Sequence, residues 1–279
     1  MTASPFTTLI TVDQLRALPA ARIVDCRFDL AAPARAALAF AEAHISGAVY
    51  AHLDEDLSGP PLTDQGRHPL PDAAQLRAVF SRLGIAPGQQ VVAYDEMGGA
   101  LAAARLWWLL RYMGHTAVAV LDGGWQAWQR AAGAVENGTN SVAATHFEGE
   151  AETAKRVLLA EVPALSTSLV DARDAARYRG EVEPIDPRAG HIPGARNHPF
   201  KRNLATSGEF LAPAALREVF AESLGTLPDA TTVHYCGSGV SACHNVLAQL
   251  HAGLPEPRLY AGSWSEWCRD ATRPANTAG

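Results

Sequence analysis

The stretch Thr231-Thr232-Val233-His234-Tyr235-Cys236-Gly237-Ser238-Gly239-Val240-Ser241-Ala242-Cys243 holds residue types at spacings that could carry out covalent chemistry. A β-rich run leads into one cysteine, small residues follow, and Ala242 to Leu250 reads as a helix. At such a strand-to-helix turn, backbone N–H groups can converge on sulfur. The helix N-terminus adds partial positive charge, which favours thiolate over thiol. Cys236 is therefore read as a nucleophile. A buried, inert thiol is the competing reading, because cysteine packs well in cores, but Gly-Ser-Gly is a poor core environment. Cys243, two helical turns further on, reads as a core thiol rather than a resolving cysteine. Cys26 and Cys268 read as small hydrophobes, and no pair of cysteines has metal-ligand spacing.

A reactive cysteine needs elements that hold it, and the chain supplies them in a repeating order. Arg22 to Arg27 reads as a strand ending in a charged pair, Arg35 to Ala43 as a helix, and His44-Ile45-Ser46-Gly47-Ala48 as a turn entering a strand. The irregular loop from Asp54 to Pro71 has a length that is usually functional or disordered. Ala73 to Leu83 is amphipathic, with Leu76, Val79, Phe80 and Leu83 on one face and Gly84 closing it. Gln90 to Tyr94 reads as a buried strand, Leu101 to Met113 as a helix, and Ala117 to Leu121 as a further strand.

The same landmarks then return. Asp25-Cys26-Arg27 is answered by Asp171-Ala172-Arg173, and His44-Ile45-Ser46-Gly47-Ala48 by His191-Ile192-Pro193-Gly194-Ala195. Leu216 to Leu224 repeats the amphipathic helix, Val233 to Ala242 repeats Val92 to Leu101, and Trp264 repeats Trp125. An internal duplication accounts for matched landmarks in one order. Each half alternates β-rich runs with helical patterns, which predicts an α/β fold with a mainly parallel sheet flanked by helices on both faces. Gly133 to Thr153 has weak periodicity. The linker is drawn at residues 139–160, between a first domain at 1–138 and a second at 161–279. Sites in such sheets lie at the carboxyl ends of strands. Cys236 is at such an end, and its counterpart is Asp95, which cannot act as a sulfur nucleophile. Only the second half is expected to be active, with the first as a lid or docking surface. His44, His191, Asp25, Arg27, Asp171 and Arg173 recur in both halves and read as structural, and Trp107, Trp108, Trp125 and Trp128 read as core.

Composition bounds the partners. The 279 residues are 48% hydrophobic and 19% charged, a globular balance with material for two domains. A net charge of −6 with no basic block argues against nucleic acid or an anionic membrane surface. No signal peptide and no membrane span are expected. Four cysteines are too few for a disulfide scaffold and suggest a reducing compartment, with the cytoplasm as the default.

Cys-Gly-Ser-Gly-Val-Ser-Ala, together with the duplicated Asp-x-Arg and His-Ile-x-Gly-Ala landmarks, resembles the tandem-domain rhodanese family over essentially the whole chain. The resemblance implies two rhodanese-like domains and sulfur transfer through a persulfide on Cys236, with no metal or organic cofactor. Loops reading Cys-Gly-Ser-Gly-Val-Thr look like 3-mercaptopyruvate sulfurtransferases, whereas thiosulfate-preferring members carry Arg and Lys where this chain has Gly237 and Ser238. Ser241 stands where Thr is commoner and keeps the hydroxyl. A loop without charged side chains offers N–H dipoles from Gly237, Gly239, Val240 and Ser241, so a donor carboxylate would be held by arginine from outside it. Arg177 and Arg188 match the family's carboxylate-binding arginines, with a slightly longer stretch between them. The resemblance also implies a proton relay of Ser238, His68 and Asp54 (or Asp56), the last two from the first domain. Expected partners are a small sulfur donor and a thiol acceptor such as thioredoxin or a low-molecular-weight thiol, with cyanide as an alternative acceptor.

Three competing functions are weighed. Thiosulfate could be the better donor. A cysteine phosphatase of related fold needs an arginine where this chain has Ala242, so the sequence argues against that chemistry. A persulfide carrier docking another sulfur-handling protein is the non-enzymatic reading.

Overall fold

Runs such as Val91-Val92-Ala93-Tyr94 are too apolar to face water on either side. In the computed structural model, which describes residues 4–62 and 64–277, they become inner strands of parallel sheets. Residues 1–3 and 278–279, the outer ends of the two expected domains, lie outside the described residues, as does Thr63 within the long loop. The chain divides into two compact units. One comprises 1–59, 71–152 and 206–210, and the other 60–70, 153–205 and 211–279. The segment Pro60–Leu70 thus belongs with the second half of the sequence, and Thr206–Phe210 with the first.

The first unit runs β1 (Leu9–Ile10), α1 (Val12–Arg16), β2 (Arg22–Asp25), α2 (Pro33–Glu42), β3 (His44–Ile45), β4 (Val49–Tyr50), α3 (Ala73–Arg82), β5 (Val91–Tyr94), α4 (Ala103–Tyr112), β6 (Val118–Leu121), α5 (Gly124–Arg130) and β7 (Val135–Glu136). Its sheet has the order β1-β6-β5-β2-β4 and is parallel throughout, while β3 and β7 form an antiparallel pair. The amphipathic pattern of α3 is realised as Leu76 and Phe80 in the core. Asp72 starts that helix by accepting from Gln75 N at 2.8 Å, while the Gln75 side chain accepts from Asp72 N at 3.0 Å. Trp107 and Trp108 are buried on α4, and the indole of Trp107 donates to the Thr7 carbonyl at 2.9 Å, so its one polar atom is satisfied.

The second unit runs β8 (Leu169–Asp171), α6 (Ala175–Tyr178), β9 (Arg196–Asn197), α7 (Pro213–Leu224), β10 (Val233–Tyr235), α8 (Ser241–His251), β11 (Arg258–Leu259) and α9 (Ser263–Trp267). Its parallel sheet has the order β11-β10-β8-β9 with flanking helices, so β10, the strand that ends at Cys236, is an inner strand. The linker expected at residues 139–160 contains the short 3-10 turn Thr153–Lys155, and Arg156 bridges to Leu259 beside β11. No helix among the described residues is long and apolar enough to cross a membrane.

The duplicated landmarks form the same frame twice. In the first unit Arg27 pairs with Asp25 at 2.7 Å, its guanidinium lies 4.7 Å over Trp125, and Tyr94 donates to the same carboxylate at 2.5 Å. In the second unit Arg173 pairs with Asp171 at 2.7 Å and lies 5.0 Å over Trp264. His44 stacks on Phe40 at 3.9 Å and hydrogen-bonds its carbonyl at 2.7 Å. His191 stacks on Tyr178 at 3.8 Å with the same 2.7 Å bond. These buried pairs hold strand ends against the following loops. Breaking either ion pair from one side would strand a buried charge.

Candidate active site

Cys236 is the residue after β10, so its side chain leaves the sheet at the carboxyl end of an inner strand. The loop from Gly237 to Val240 turns the chain into α8, whose first residue is Ser241. Gly239 takes φ +76°, and its N–H donates to Cys236 Sγ at 3.1 Å. A Cβ at Gly239 would lie 2.4 Å from the Ala261 carbonyl oxygen. Only glycine meets both demands, the left-handed backbone and the close approach. The loop carbonyls are fixed from the other side. Trp264 N and Ser265 N at the start of α9 donate to the Cys236 and Gly237 oxygens, each at 2.9 Å, and Cys236 N donates to Ser263 Oγ at 3.1 Å. The sulfur therefore sits in a rigid backbone frame, as a preorganised nucleophile requires.

All four cysteines are buried. Burial, reinforced by Asp25, pushes the Cys26 thiol well above its usual range. Burial, followed by the negative charges of Asp186 and Glu183, pushes Cys268 up to about 11. Cys243 is fully buried and donates to the Gly239 carbonyl at 3.2 Å, which makes it a core thiol packed behind the loop.

Ser238 Oγ lies 2.7 Å from His68 Nδ1, with both side chains buried. His68 comes from the Pro60–Leu70 segment, so this pair lies within the unit that carries Cys236. The segment is pinned there. Arg67 N donates to Ser265 Oγ at 3.0 Å, and Gly66 packs so tightly on Gly262 that a Cβ would lie 2.4 Å from its carbonyl oxygen. Asp54 belongs to the first unit, where its N–H donates to His52 Nδ1 at 3.2 Å. Asp56, the alternative, is in the same unit, paired with Arg82.

Arg177, on α6, approaches the loop. The point where a Cβ of residue 237 would stand is 3.6 Å from both of its terminal nitrogens and 3.1 Å from Nη2 of Arg67. Gly237 thus leaves room for two guanidinium groups contributed from outside the loop. Arg188 is engaged elsewhere. Its guanidinium donates to the Arg273 carbonyl at 2.7 Å and the Ala271 carbonyl at 3.4 Å, which ties the longer Arg177–Arg188 loop to the C-terminal segment.

Arg67, Glu183 and Asp186 were not singled out from sequence. Asp186 bridges Arg67 (2.5 Å) and Arg177 (3.1 Å), and Glu183 bridges Arg177 (2.6 Å) and Arg173 (3.3 Å). Burial would raise the Glu183 carboxyl, but hydrogen bonds from Arg177 and the N–H groups of Asp186 and Ile185 bring it below its usual value. Adjacency to His68 was the available signal for Arg67, and the acidic run between Arg177 and Arg188 was the signal for the carboxylates.

The first half shows what such a loop can hold. Asp95 follows β5 as Cys236 follows β10, and Trp125 N donates to the Asp95 carbonyl at 2.9 Å, as Trp264 N does to Cys236. The Asp95 carboxylate accepts from the N–H groups of Met97, Gly99, Leu101, Ala102 and Ala103 at 2.8–3.2 Å. A nest of N–H groups is an anion site, and here the chain's own carboxylate fills it.

Comparison with known proteins agrees with this geometry. The family model described as "Rhodanese-like domain" matches residues 11–131 and 154–270. The chain is 46% identical over 278 residues to a probable 3-mercaptopyruvate sulfurtransferase of Pseudomonas aeruginosa, covering 96% of this chain and 98% of that protein. It is 40% identical over 257 residues to a putative thiosulfate sulfurtransferase of Mycobacterium tuberculosis, covering 90% and 89%. Its fold matches the solved structure of the 3-mercaptopyruvate sulfurtransferase from Leishmania major with a TM-score of 0.87 and 33% identity, covering 98% of this chain and 77% of that one. The chain belongs to the rhodanese family and carries two rhodanese domains in tandem.

Proposed function

We propose that this chain is a sulfurtransferase that takes the thiol sulfur of 3-mercaptopyruvate onto Cys236, where it becomes the sulfane sulfur of a persulfide, and passes it to a thiol or to cyanide. The Cys236 thiolate attacks the donor sulfur. As the new S–S bond forms, the S–C bond breaks and its electron pair leaves on pyruvate enolate. The enolate takes one proton to become pyruvate, and Cys236 is left as a persulfide. Attack by a thiolate acceptor on the outer sulfur then releases Cys236 thiolate. The thiol acceptor is assigned by its chemistry, with thioredoxin or a low-molecular-weight thiol as the expected kinds.

The observation that carries this reading is the buried 2.7 Å contact of Ser238 with His68, two residues from the nucleophile. A donor that leaves as an enolate needs a proton, and a hydroxyl backed by imidazole can deliver it. The family resemblance assigns Asp54 the third place in this relay. The N–H groups of Gly237, Gly239, Val240 and Ser241 are the loop's dipoles for the developing charge, and Arg177 is the cation for the donor carboxylate.

Thiosulfate is the second reading, favoured by the guanidinium groups of Arg67 and Arg177 beside Gly237, which suit any anionic donor. Pyruvate release from 3-mercaptopyruvate in the presence of a small thiol tests the proposal. Wild type is expected to turn over without any partner protein and Cys236→Ser to be inactive. Thiosulfate turnover without pyruvate release would hand the assignment to the second reading.

A further inference from the structure

Asp186 stands out because its carboxylate already occupies a position between two arginines that face the reactive loop. Its Oδ1 accepts from Arg67 Nη1 at 2.5 Å and its Oδ2 from Arg177 Nη2 at 3.1 Å. The side chain is 2% exposed, so both carboxylate oxygens are enclosed by protein. Its main-chain N–H donates to Glu183 Oε1 at 3.1 Å, which fixes the approach of the carboxylate. Beyond it, Arg67 Nη2 and the terminal nitrogens of Arg177 face Gly237, and Arg67 Nε is buried with no hydrogen-bond partner among the described residues. Terminal N–H groups of both arginines therefore lie beside Gly237, the residue next to Cys236, while Asp186 holds the two guanidinium groups together.

The charges tell a different story from the hydrogen bonds. Three guanidinium groups (Arg67, Arg173, Arg177) and three carboxylates (Asp171, Glu183, Asp186) form one connected chain of ion pairs. The cluster has many donors but no excess positive charge. A monoanion with a planar carboxylate gains from donors alone, in the bidentate manner that guanidinium favours. A compact dianion loses more hydration on entry and needs net positive charge to offset that loss.

Resting on the proposed mercaptopyruvate reading, we infer that Asp186 is a specificity-determining residue: by bridging Arg67 and Arg177 it positions both at the loop and cancels one of their charges, selecting a monoanionic carboxylate donor over a dianionic one. The same bridge makes Arg67 a donor-binding arginine alongside Arg177. Gly237 belongs to the arrangement, because any side chain there would meet both guanidinium groups.

The test compares kcat/KM for 3-mercaptopyruvate and for thiosulfate in wild type, in the neutral variants Asp186→Asn and Asp186→Ser, and in the charge-retaining Asp186→Glu. Two neutral variants are used so that poor folding of one leaves the comparison intact. The ratio is the readout because a loosened loop lowers both donors together. The expected result is a shift of the ratio towards thiosulfate by about tenfold in the neutral variants, the size of effect that one partly screened charge produces, with Asp186→Glu close to wild type. An unmoved ratio in the neutral variants, or an equal shift in Asp186→Glu, overturns the inference. Failure of wild type to release pyruvate from mercaptopyruvate would instead overturn the underlying reading.

Discussion

Replacing Ser238 with alanine separates proton delivery from sulfur transfer. The hydroxyl lies 2.7 Å from His68 Nδ1, and both groups are buried. The substitution leaves Cys236, the Gly239 N–H and the arginines in place. It removes the group that would protonate the pyruvate enolate. General acid catalysis contributes about 10²- to 10⁴-fold, so kcat on mercaptopyruvate is expected to fall by at least about a hundredfold. Thiosulfate leaves as sulfite, which needs no proton from the enzyme, and its turnover is expected to change by less than about threefold on the same argument. Losing the partner of a buried imidazole nitrogen costs about 1–3 kcal/mol, which corresponds to a Tm lower by several degrees for a chain of this size. The assay is stopped-flow pyruvate release alongside sulfite release at 25 °C, with thermal unfolding of both proteins. Equal losses on the two donors, or undiminished mercaptopyruvate turnover, would refute the relay.

Gly239→Ala is expected to be nearly inactive and destabilised by more than about 2 kcal/mol. Left-handed backbone alone costs about 1–2 kcal/mol, and the new Cβ would stand 2.4 Å from the Ala261 oxygen; activity together with urea unfolding checks this, and a silent substitution would contradict the loop geometry. Stability is also expected to fall as pH drops below neutrality. Burial holds both His198 and His234 down to about 4, against 6.5 when exposed. These folded-state values are depressed, so the unfolded chain binds more protons between pH 6.5 and 4, and stability is lost on acidification through that window. Each histidine accounts for about 2 kcal/mol at pH 5. Urea unfolding at pH 7 and pH 5 measures it, and a flat profile would contradict the neutral buried state.

The fold was legible because the duplication made each half a check on the other. Asp25-x-Arg27 and Asp171-x-Arg173 recur in both halves although only the second has a cysteine at the loop position, Cys236 against Asp95, and both pairs are found buried against Trp125 and Trp264. Strands of two residues, such as β1 at Leu9–Ile10 and β7 at Val135–Glu136, went unread because a period of two has no room to show itself in so short a run. The loop that carries Cys236 was legible where it is local in sequence, as a strand end at Cys236 followed by the turn Gly237, Ser238 and Gly239. The site was less legible where position depends on how loops are threaded. Its place in the sequence assigns His68 to the first domain, yet the Pro60–Leu70 segment packs with the second unit. Arg177 and Arg188 looked alike as flanking cations, but one faces Gly237 and the other binds the carbonyls of Ala271 and Arg273. Nothing in residue type distinguishes a guanidinium that binds backbone from one that faces the loop; only the three-dimensional path of the chain does.

The central claim is that Cys236 carries the transferred sulfur. Incubating the protein with 3-mercaptopyruvate and no acceptor, followed by alkylation, proteolysis and mass spectrometry of the peptide containing Cys236, tests it most directly. The account predicts the mass of one added sulfur on Cys236, removed by a subsequent thiol, with Cys26, Cys243 and Cys268 unmodified. An unmodified Cys236 beside released pyruvate, or the added sulfur on another cysteine, would contradict it.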